Sequence, residues 1–298
     1  PGSDPKFLET ASRLIAKGQG QGVLYYDENI IPALVARGIP LEMARLYAND
    51  GCTEITFDSH SAIWFWQMES VKTLELALFR GRENPSTPFA PYHKWAHFQR
   101  PGVFHTKLTL GHDSGDFAKM TTFEEVYAAF LDQYGFQIDC FMEKLSQQVR
   151  ENEETFANIT TPIAAGLNER ALDTGVDPIR GGWEVKNYQL LSGSIPTLAD
   201  ALYAIREGVF SQKLCTMAEL IHALSVNFEG YEPLRRALKK LPKFGNDLDC
   251  VDNLAAELAD FFCQRVENYP VPHGIKALPG IYNIDFNMFS GSVGATPD

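Results

Sequence analysis

The sequence contains no apolar run that approaches the roughly 20 residues needed to cross a lipid bilayer. It also lacks internal repeats and low-complexity tracts, and 45% of its 298 residues are hydrophobic while 21% are charged. These absences exclude a membrane-spanning, disordered or fibrous protein. A chain of this length and composition is able to bury a sizeable hydrophobic core.

Positive charge is scarce as well. The 26 Lys and Arg residues against 38 Asp and Glu residues give a formal net charge of −12, and the sequence pI is near 5.1. Because binding to a nucleic-acid backbone or to an anionic membrane surface depends on clustered Lys and Arg, neither is predicted as a partner.

Cysteine is too sparse and too scattered for a disulfide framework in a chain of this size. The five cysteines are Cys52, Cys140, Cys215, Cys250 and Cys263. The N-terminal residues show no positively charged segment followed by an apolar stretch, so no signal peptide is predicted. Reduced thiols and the absence of a visible signal together predict a cytoplasmic protein.

Two groups of residues lack the spacing that phosphate binding or metal binding would need. Gly18, Gly20 and Gly22 match neither a phosphate-binding loop nor a dinucleotide fingerprint, and are more typical of tight turns. His93 and His97 are four residues apart, but no third ligand follows in register and flanking prolines indicate a loop. No metal site is therefore predicted.

Helical patterns dominate the chain. Thr122 with Glu125 and Thr216 with Glu219 form capping-box signatures, each ahead of an apolar stretch with helical spacing. A further long amphipathic helix is predicted over residues 249–266. The other helices are predicted from Pro5 after an Asp4 cap, from Asp27, over residues 40–47 and over residues 63–79.

Predicted strands are few and short. Residues 52–57 form an extended segment reached through a turn at 49–51, and residues 188–191 and 281–286 are the other candidates. Residues 82–116 lack a clean period and are predicted as a long irregular connection. Helices that alternate with short strands indicate an α/β fold with parallel strands, and residues 1–298 are assigned to one domain.

The sequence Gly51-Cys52-Thr53-Glu54 carries the most informative chemistry. In an extended backbone, side chains at positions i and i+2 point to the same face, roughly 6.5–7 Å apart. Cys52 and Glu54 can then address one substrate, the sulfur as a nucleophile or hydrogen-atom abstractor and the carboxylate as a base. The alternative is that Cys52 is a buried, chemically inert side chain.

Several other side chains are candidates either for a binding role or for a structural role. Asp58 and His60 are candidate substrate-binding residues, with a surface loop as the alternative. The aromatic residues 64–66, expected on a helix, either cap an aromatic substrate or belong to the core. Cys140 and Cys263 lie on apolar faces of the long predicted helices and are expected to serve packing.

Several sequence blocks, taken in order, resemble the glycyl radical enzymes of the pyruvate formate-lyase family over nearly the whole chain. The blocks are Gly-Gln-Gly-Gln at 18–21, residues 26–34, Leu-Glu-Leu-Ala-Leu at 74–78, residues 115–116 with 123–125, Gly-Gly at 181–182 with Asn-Tyr at 187–188, residues 227–231, residues 242–247 with 251–252, and Gly-Ala-Thr-Pro-Asp at 294–298.

This resemblance implies a ten-stranded α/β barrel, of which the chain is a helix-rich part truncated at both ends. It also implies that Cys52 is the thiyl residue that abstracts a substrate hydrogen and that Glu54 is the proton acceptor. Family members with a Gly-Cys-X-Glu loop resemble dehydratases, carbon–nitrogen or carbon–sulfur lyases and some decarboxylases. Gly51, at a position where pyruvate formate-lyases carry a second cysteine, argues against acetyl transfer to coenzyme A.

By the same resemblance, the protein is an enzyme of anaerobic metabolism that binds no separate cofactor. Its glycyl radical is expected on a C-terminal domain absent from this chain, because no Arg-Val-X-Gly-Tyr-like motif occurs. An iron–sulfur activating enzyme that uses S-adenosylmethionine would install the radical. The implied partners are this enzyme, a small-molecule substrate and a second copy of the parent protein.

Three functions remain open at this stage. The first is a fragment of a glycyl radical lyase or dehydratase, inactive alone, whose parent polypeptide is active. The second is a non-catalytic paralogue or scaffold module that retains the fold. The third is acyl transfer with Cys52 as nucleophile.

Overall fold

The computed structural model describes residues 4–17, 25–50, 54–57, 60–82, 84–86 and 111–282. The chain divides into two compact units, Pro1–Ala62 with Phe156–Lys186 and Ile63–Thr155 with Asn187–Asp298. Within the described ranges, no helix has the length and apolar character to span a membrane. The assignment of residues 1–298 to one domain remains a prediction.

Eleven α-helices and five strands are found in the described ranges. The helices are α1 (Pro5–Ala16), α2 (Asp27–Ala36), α3 (Leu41–Ala44), α4 (Ser70–Leu78), α5 (Phe123–Phe156), α6 (Pro162–Gly166), α7 (Glu169–Thr174), α8 (Ile195–Ala204), α9 (Met217–Ser225), α10 (Glu232–Lys239) and α11 (Asp249–Glu267). The strands are β1 (Tyr47–Asp50), β2 (Glu54–Phe57), β3 (Ser61–Glu69), β4 (Val185–Gly193) and β5 (Leu278–Tyr282). A π-helix, Ile205–Ser211, continues α8.

Capping signals in the sequence mark several helix starts correctly. The Thr122 hydroxyl accepts from the Glu125 backbone N–H at 3.2 Å, while the Glu125 carboxylate accepts from the backbone N–H of Thr122 at 3.3 Å. The same reciprocal capping box links Thr216 and Glu219 at the start of α9. Each pair satisfies backbone donors that the first helical turn leaves unpaired.

The helix predicted over residues 63–79 is wrong in its first half. Residues 61–69 form β3, and the helix begins only at Ser70. Aromatic and β-branched residues favour strands, and Trp66 and Met68, two positions apart, are both buried, as strand periodicity requires. The aromatic residues 64–66 therefore lie on a strand and not on a helix.

Three other predicted boundaries also shift. The helix expected over residues 40–47 ends at Ala44, because Tyr47 already begins β1. Asn49 and Asp50, predicted in a turn, belong to that strand. Strand β5 begins before residue 281, at Leu278. Most of the irregular connection predicted over 82–116, namely residues 83 and 87–110, lies outside the described residues.

The second unit contains a three-stranded sheet with β4 in the centre, in the order β3-β4-β5. Strands β4 and β5 are parallel, with Gln189 opposite Leu278 and Gly193 opposite Tyr282. Residues 187–193 of β4 are all buried. A central strand covered on both faces by helices is the expected arrangement for a parallel sheet.

The core of this unit forms where α5 and α11 pack beside the sheet. Tyr134 of α5 is fully buried and stacks with Phe130 and Phe261 at centroid distances of 5.5 and 5.7 Å. Its hydroxyl lies 3.0 Å from the Ser70 hydroxyl and 3.1 Å from that of Ser192, and the two serine oxygens are 2.5 Å apart. Burial raises the pKa of Tyr134 to about 12.

Helix α4 carries an ion pair inside the protein. The Lys72 ammonium group, whose side chain is fully buried, donates to the carboxylate of Glu75 one turn later. Removing charges from water is costly, so each charge requires a partner in the interior. The pair holds two successive turns of α4 in the core.

Leu258 and Leu248 provide a matched test of this core. Leu258 of α11 is fully buried, whereas Leu248, just before the same helix, is 40% exposed. We expect Leu258→Ala to lower the free energy of unfolding by about 2–5 kcal/mol because it leaves a cavity. Leu248→Ala should lower it by less than about 1 kcal/mol. Urea denaturation followed by circular dichroism measures both, and equal losses would contradict the packing described here.

Candidate functional site

The Gly-Cys-X-Glu segment follows β1 in the sequence and ends on Glu54, the first residue of β2; these two strands form a hairpin in the first unit. Strands β1 and β2 pair antiparallel, with Tyr47 opposite Phe57 and Asp50 opposite Glu54. Residues 51–53, which include Cys52, connect the two strands and lie outside the described residues. Glu54 therefore opens β2 two positions after the candidate thiol, and its side chain is partly exposed.

The two faces of this hairpin carry different groups. Directly opposed residues of an antiparallel pair share a face, so Glu54 lies on the same face as Thr56 and its partner Ala48. Tyr47 and Asn49 lie on the other face. The candidate carboxylate is thus separated from the tyrosine cluster described next.

A hydrogen-bonded cluster joins the opposite face of the hairpin to α2 and the residues just before it. The Tyr47 hydroxyl donates to the Asp27 carboxylate at 2.5 Å, and the Asn49 amide donates to the Tyr25 hydroxyl at 2.7 Å. Burial, together with the hydrogen bond to Asp27, raises the pKa of Tyr47 to about 12. These contacts fix β1, the strand that leads into the cysteine loop. No local pattern in the sequence predicts these hydrogen bonds, because they join residues 20 and 24 positions apart.

His60 lies in a partly exposed polar network of the same unit. Its Nδ1 is 3.1 Å from a carboxylate oxygen of Glu184, and Arg170 donates to the same oxygen at 3.4 Å. The His60 carbonyl also accepts from the backbone N–H groups of Glu184 and Val185, both at 3.0 Å. The role of His60 in substrate binding remains a prediction, as does that of Asp58, which lies outside the described residues.

The aromatic residues of β3 and the helix cysteines are packed. Trp64 stacks on Tyr188 of β4 at 4.7 Å, and Trp66 is only 3% exposed. Cys263 is partly buried and packs against the core, and Cys140 is partly buried on α5. These positions agree with the core alternative for Trp64 and Trp66 and with the packing role expected of Cys263.

A second polar cluster lies where the three strands of the second unit end. The carboxylate of Glu69, the last residue of β3, accepts from the Ser194 hydroxyl at 2.8 Å and from the Tyr282 hydroxyl at 2.7 Å. Burial raises the pKa of Glu69, while these two hydrogen bonds oppose the shift. Trp64 stacks on Tyr188 at one end and Glu69 meets Ser194 at the other, so β3 runs in the same direction as β4.

Sequence reasoning missed Glu69 because it placed the residue inside a helix. The available signal was a carboxylate at the end of an aromatic and β-branched run, directly before the helical pattern. The glycines 18–22 and the histidine pair 93 and 97 lie outside the described residues, and the described ranges contain no group of three or more His, Cys, Asp and Glu that could hold a metal.

The sequence matches a model of the family described as "Pyruvate formate lyase-like" over residues 1–291. The chain belongs to this family. The resemblance drawn from the sequence blocks is thereby confirmed.

Two curated relatives and one solved structure specify the similarity further. The chain is 29% identical over 293 residues to trans-4-hydroxy-L-proline dehydratase of Clostridioides difficile, covering 96% of this chain and 34% of that protein. It is 28% identical over 311 residues to isethionate sulfite-lyase of Oleidesulfovibrio alaskensis, covering 99% and 34%. The glycerol-bound B12-independent glycerol dehydratase of Clostridium butyricum superposes with a TM-score of 0.69 at 27% identity, covering 94% and 33%.

The chain thus spans about a third of the length of the relatives it matches. These comparisons confirm the predicted fold class, a helix-rich part of a pyruvate formate-lyase-type α/β barrel. The relatives are dehydratases and lyases, which agrees with the reaction type that the sequence predicted.

The raised pKa of Glu69 predicts a pH-dependent stability difference. Above the ordinary glutamate pKa of about 4.5 the unfolded state ionises while the folded state keeps its proton, so stability falls as the pH rises through the higher folded pKa. Glu69→Gln removes this titration. We therefore expect the stability of the variant, relative to the unsubstituted protein, to improve as the pH rises above the ordinary glutamate pKa of 4.5.

Urea denaturation at several pH values measures this difference. Glu154→Gln, on an exposed position of α5, is the matched control and should show no trend with pH. A pH-independent difference for Glu69→Gln would contradict the burial of its carboxyl group.

Proposed function

We propose that the parent polypeptide of this chain is a glycyl radical lyase or dehydratase that acts on a small hydroxylated substrate. The observation that carries the proposal is a Gly-Cys-X-Glu loop, in a family whose matched relatives are dehydratases and lyases, with Glu54 opening β2 two positions after Cys52. The hydrogen bonds of Tyr47 and Asn49 hold β1, the strand that directly precedes Gly51 in the sequence, against Asp27 and Tyr25. Such pre-positioning suits a reaction that requires two groups at one substrate.

The glycyl radical, on a part of the parent outside this chain, would supply the oxidation that converts the Cys52 thiol to a thiyl radical. Cys52 then takes a hydrogen atom from the substrate carbon that bears a hydroxyl: an S–H bond forms, a C–H bond breaks and the unpaired electron moves to carbon. The Glu54 carboxylate accepts the proton of that hydroxyl. No external oxidant or reductant is consumed in these steps.

Elimination follows from the negative charge that develops on the substrate oxygen. The bond from the neighbouring carbon to the leaving group breaks, and the electron pair departs with that group. When the leaving group is hydroxide, the proton held by Glu54 converts it to water. The product radical takes the hydrogen atom back from the Cys52 thiol, which restores the thiyl for the next turnover.

The proposed partners follow from the same chemistry. A small-molecule substrate, an S-adenosylmethionine-dependent iron–sulfur activating enzyme and a second copy of the parent would each contact the protein in the cytoplasm. Asp58 and His60 are proposed to contribute to substrate binding. The matched relatives are named for hydroxyproline, isethionate and glycerol, all of which carry a hydroxyl group.

The assignment of Cys52 is tested in the full-length parent after anaerobic activation. Cys52→Ala should abolish turnover while the glycyl radical signal in electron paramagnetic resonance persists, because the radical is stored elsewhere. Cys215→Ala, at a partly buried cysteine shortly before α9, is the control and should retain activity. Turnover by the Cys52→Ala variant would contradict the proposed role of Cys52.

Glu54→Gln separates proton transfer from hydrogen-atom transfer. We expect kcat to fall by about 100- to 10,000-fold, the usual contribution of a positioned acid or base. Exchange of deuterium between labelled substrate and solvent through the Cys52 thiol should continue. Unchanged kcat would remove Glu54 as the base and leave Cys52 as the radical residue.

Two results would favour the alternative functions. Labelling of Cys52 by a coenzyme A ester would favour acyl transfer. A scaffold role would be favoured if the parent folds but forms no radical and turns over no substrate after treatment with the activating enzyme.

A further inference from the structure

We propose that the second unit binds a small, uncharged, apolar molecule, of the size of a singly substituted benzene ring, in a cavity between α4, α8, α9 and α10. This inference goes beyond the proposed function. All the residues that line the cavity belong to the second unit, and none of them has a role in the proposed radical chemistry.

The walls of the cavity are apolar and come from several helices. The cavity has a volume of about 230 Å³. Leu74 and Leu78 of α4 and Leu220 of α9 line it and are buried, and Leu238 of α10 lines it as a partly buried residue. Apolar cavities of about 150 Å³ in other proteins stay dry and bind benzene. The volume here is therefore sufficient for one substituted ring.

Small side chains of α8 create this space. Thr197, Ala201 and Ala204 recur at helical spacing and all line the cavity, opposite the leucines of α4 and α9. Leu198 and Leu202, which point elsewhere from the same helix, are fully buried in the core. A void beside small side chains deprives the surrounding atoms of packing contacts, and a bound apolar molecule restores them.

Two irregular backbone segments border the cavity. The π-helix that continues α8 begins at Ile205, which lines the cavity, and π-helical turns are frequent at functional sites. Asn227 and Phe228 have φ angles of 50° and 58°, a left-handed conformation that non-glycine residues rarely adopt. Phe228 also lines the cavity. Unfavourable backbone conformations that the surrounding structure maintains concentrate at functional sites.

The charges around the cavity favour an uncharged ligand. Among the described residues that line it, only Glu75 is charged, and its carboxylate is paired with the buried ammonium group of Lys72. A charged ligand would lose its hydration in this apolar space without an excess of opposite charge to compensate. Thr197 is exposed, so the cavity is accessible from the surface of this unit.

The dimensions of the cavity favour a small molecule over a protein partner. A stable protein interface buries about 800 Å² on each partner, whereas this space holds about one ring. A segment of the parent outside this chain would be able to insert one bulky side chain at most. Such a side chain would exclude the small molecule, so a binding experiment distinguishes the two occupants.

The experiment measures binding of toluene and of benzoate to the full-length parent without activation, by isothermal titration calorimetry. The two probes share the aromatic ring and differ in charge. We expect toluene to bind and the Kd of benzoate to be at least about tenfold higher, because the carboxylate has to leave water.

Substitutions in α8 test whether toluene occupies this cavity. Ala201→Leu fills part of the empty space, so it should raise the Kd of toluene at least about tenfold while the protein still folds. Ala256→Leu adds the same atoms at an exposed position of α11 and should leave the Kd unchanged. If Ala201→Leu does not fold, Ala204→Val makes a smaller addition to the same face and should raise the Kd at least about threefold.

Four results overturn the proposal: no binding of toluene to the unsubstituted parent, equal affinities for toluene and benzoate, an unchanged Kd of toluene in a folded Ala201 or Ala204 variant, or equal losses in the Ala201 and Ala256 variants. The first result includes a parent in which another segment already fills the cavity. Cys52→Ala should bind toluene normally, so failure of the radical mechanism is distinguishable from failure of this site.

Discussion

The burial of β4 is the constraint on which the second unit depends. A central strand that is covered on both faces leaves no water for its polar groups, so each must find a partner inside the protein. Ser192 meets this requirement through Ser70 at the start of α4 and Tyr134 in the middle of α5. One buried hydroxyl cluster therefore fixes where a helix begins and how the longest helix lies against the sheet.

The first unit relies on a different kind of contact. Helices α1 and α2 have no buried residues, and the hairpin that contains the cysteine loop is joined to α2 and its preceding residues through side-chain hydrogen bonds of Tyr47 and Asn49. Hydrogen bonds are directional, whereas apolar contacts are not. If Cys52 and Glu54 act on one substrate as proposed, directional support of β1 and β2 is an advantage, since small displacements of reacting groups are costly.

Local signals in the sequence predicted the structure where local contacts determine it. The capping boxes at Thr122 and Thr216 mark the starts of α5 and α9 because cap and helix are adjacent in the chain. The helix predicted from residue 63 was wrong, because β3 pairs with β4, a strand more than 100 residues later in the sequence. This pairing overrides the helical spacing of the bulky residues in β3. Glu69 was missed for the same reason, since its partner Tyr282 lies 213 positions away in sequence. Cys52 and Glu54 could be proposed as site residues from the sequence alone because the proposal depends on neighbouring residues and on a family resemblance.

The buried ion pair of α4 has a consequence for how this family can vary. Lys72 and Glu75 offset each other's loss of hydration in the interior, so changing one alone is costly, whereas replacing both with apolar residues of similar volume is often tolerated. The two positions are thus expected to change together or not at all among relatives.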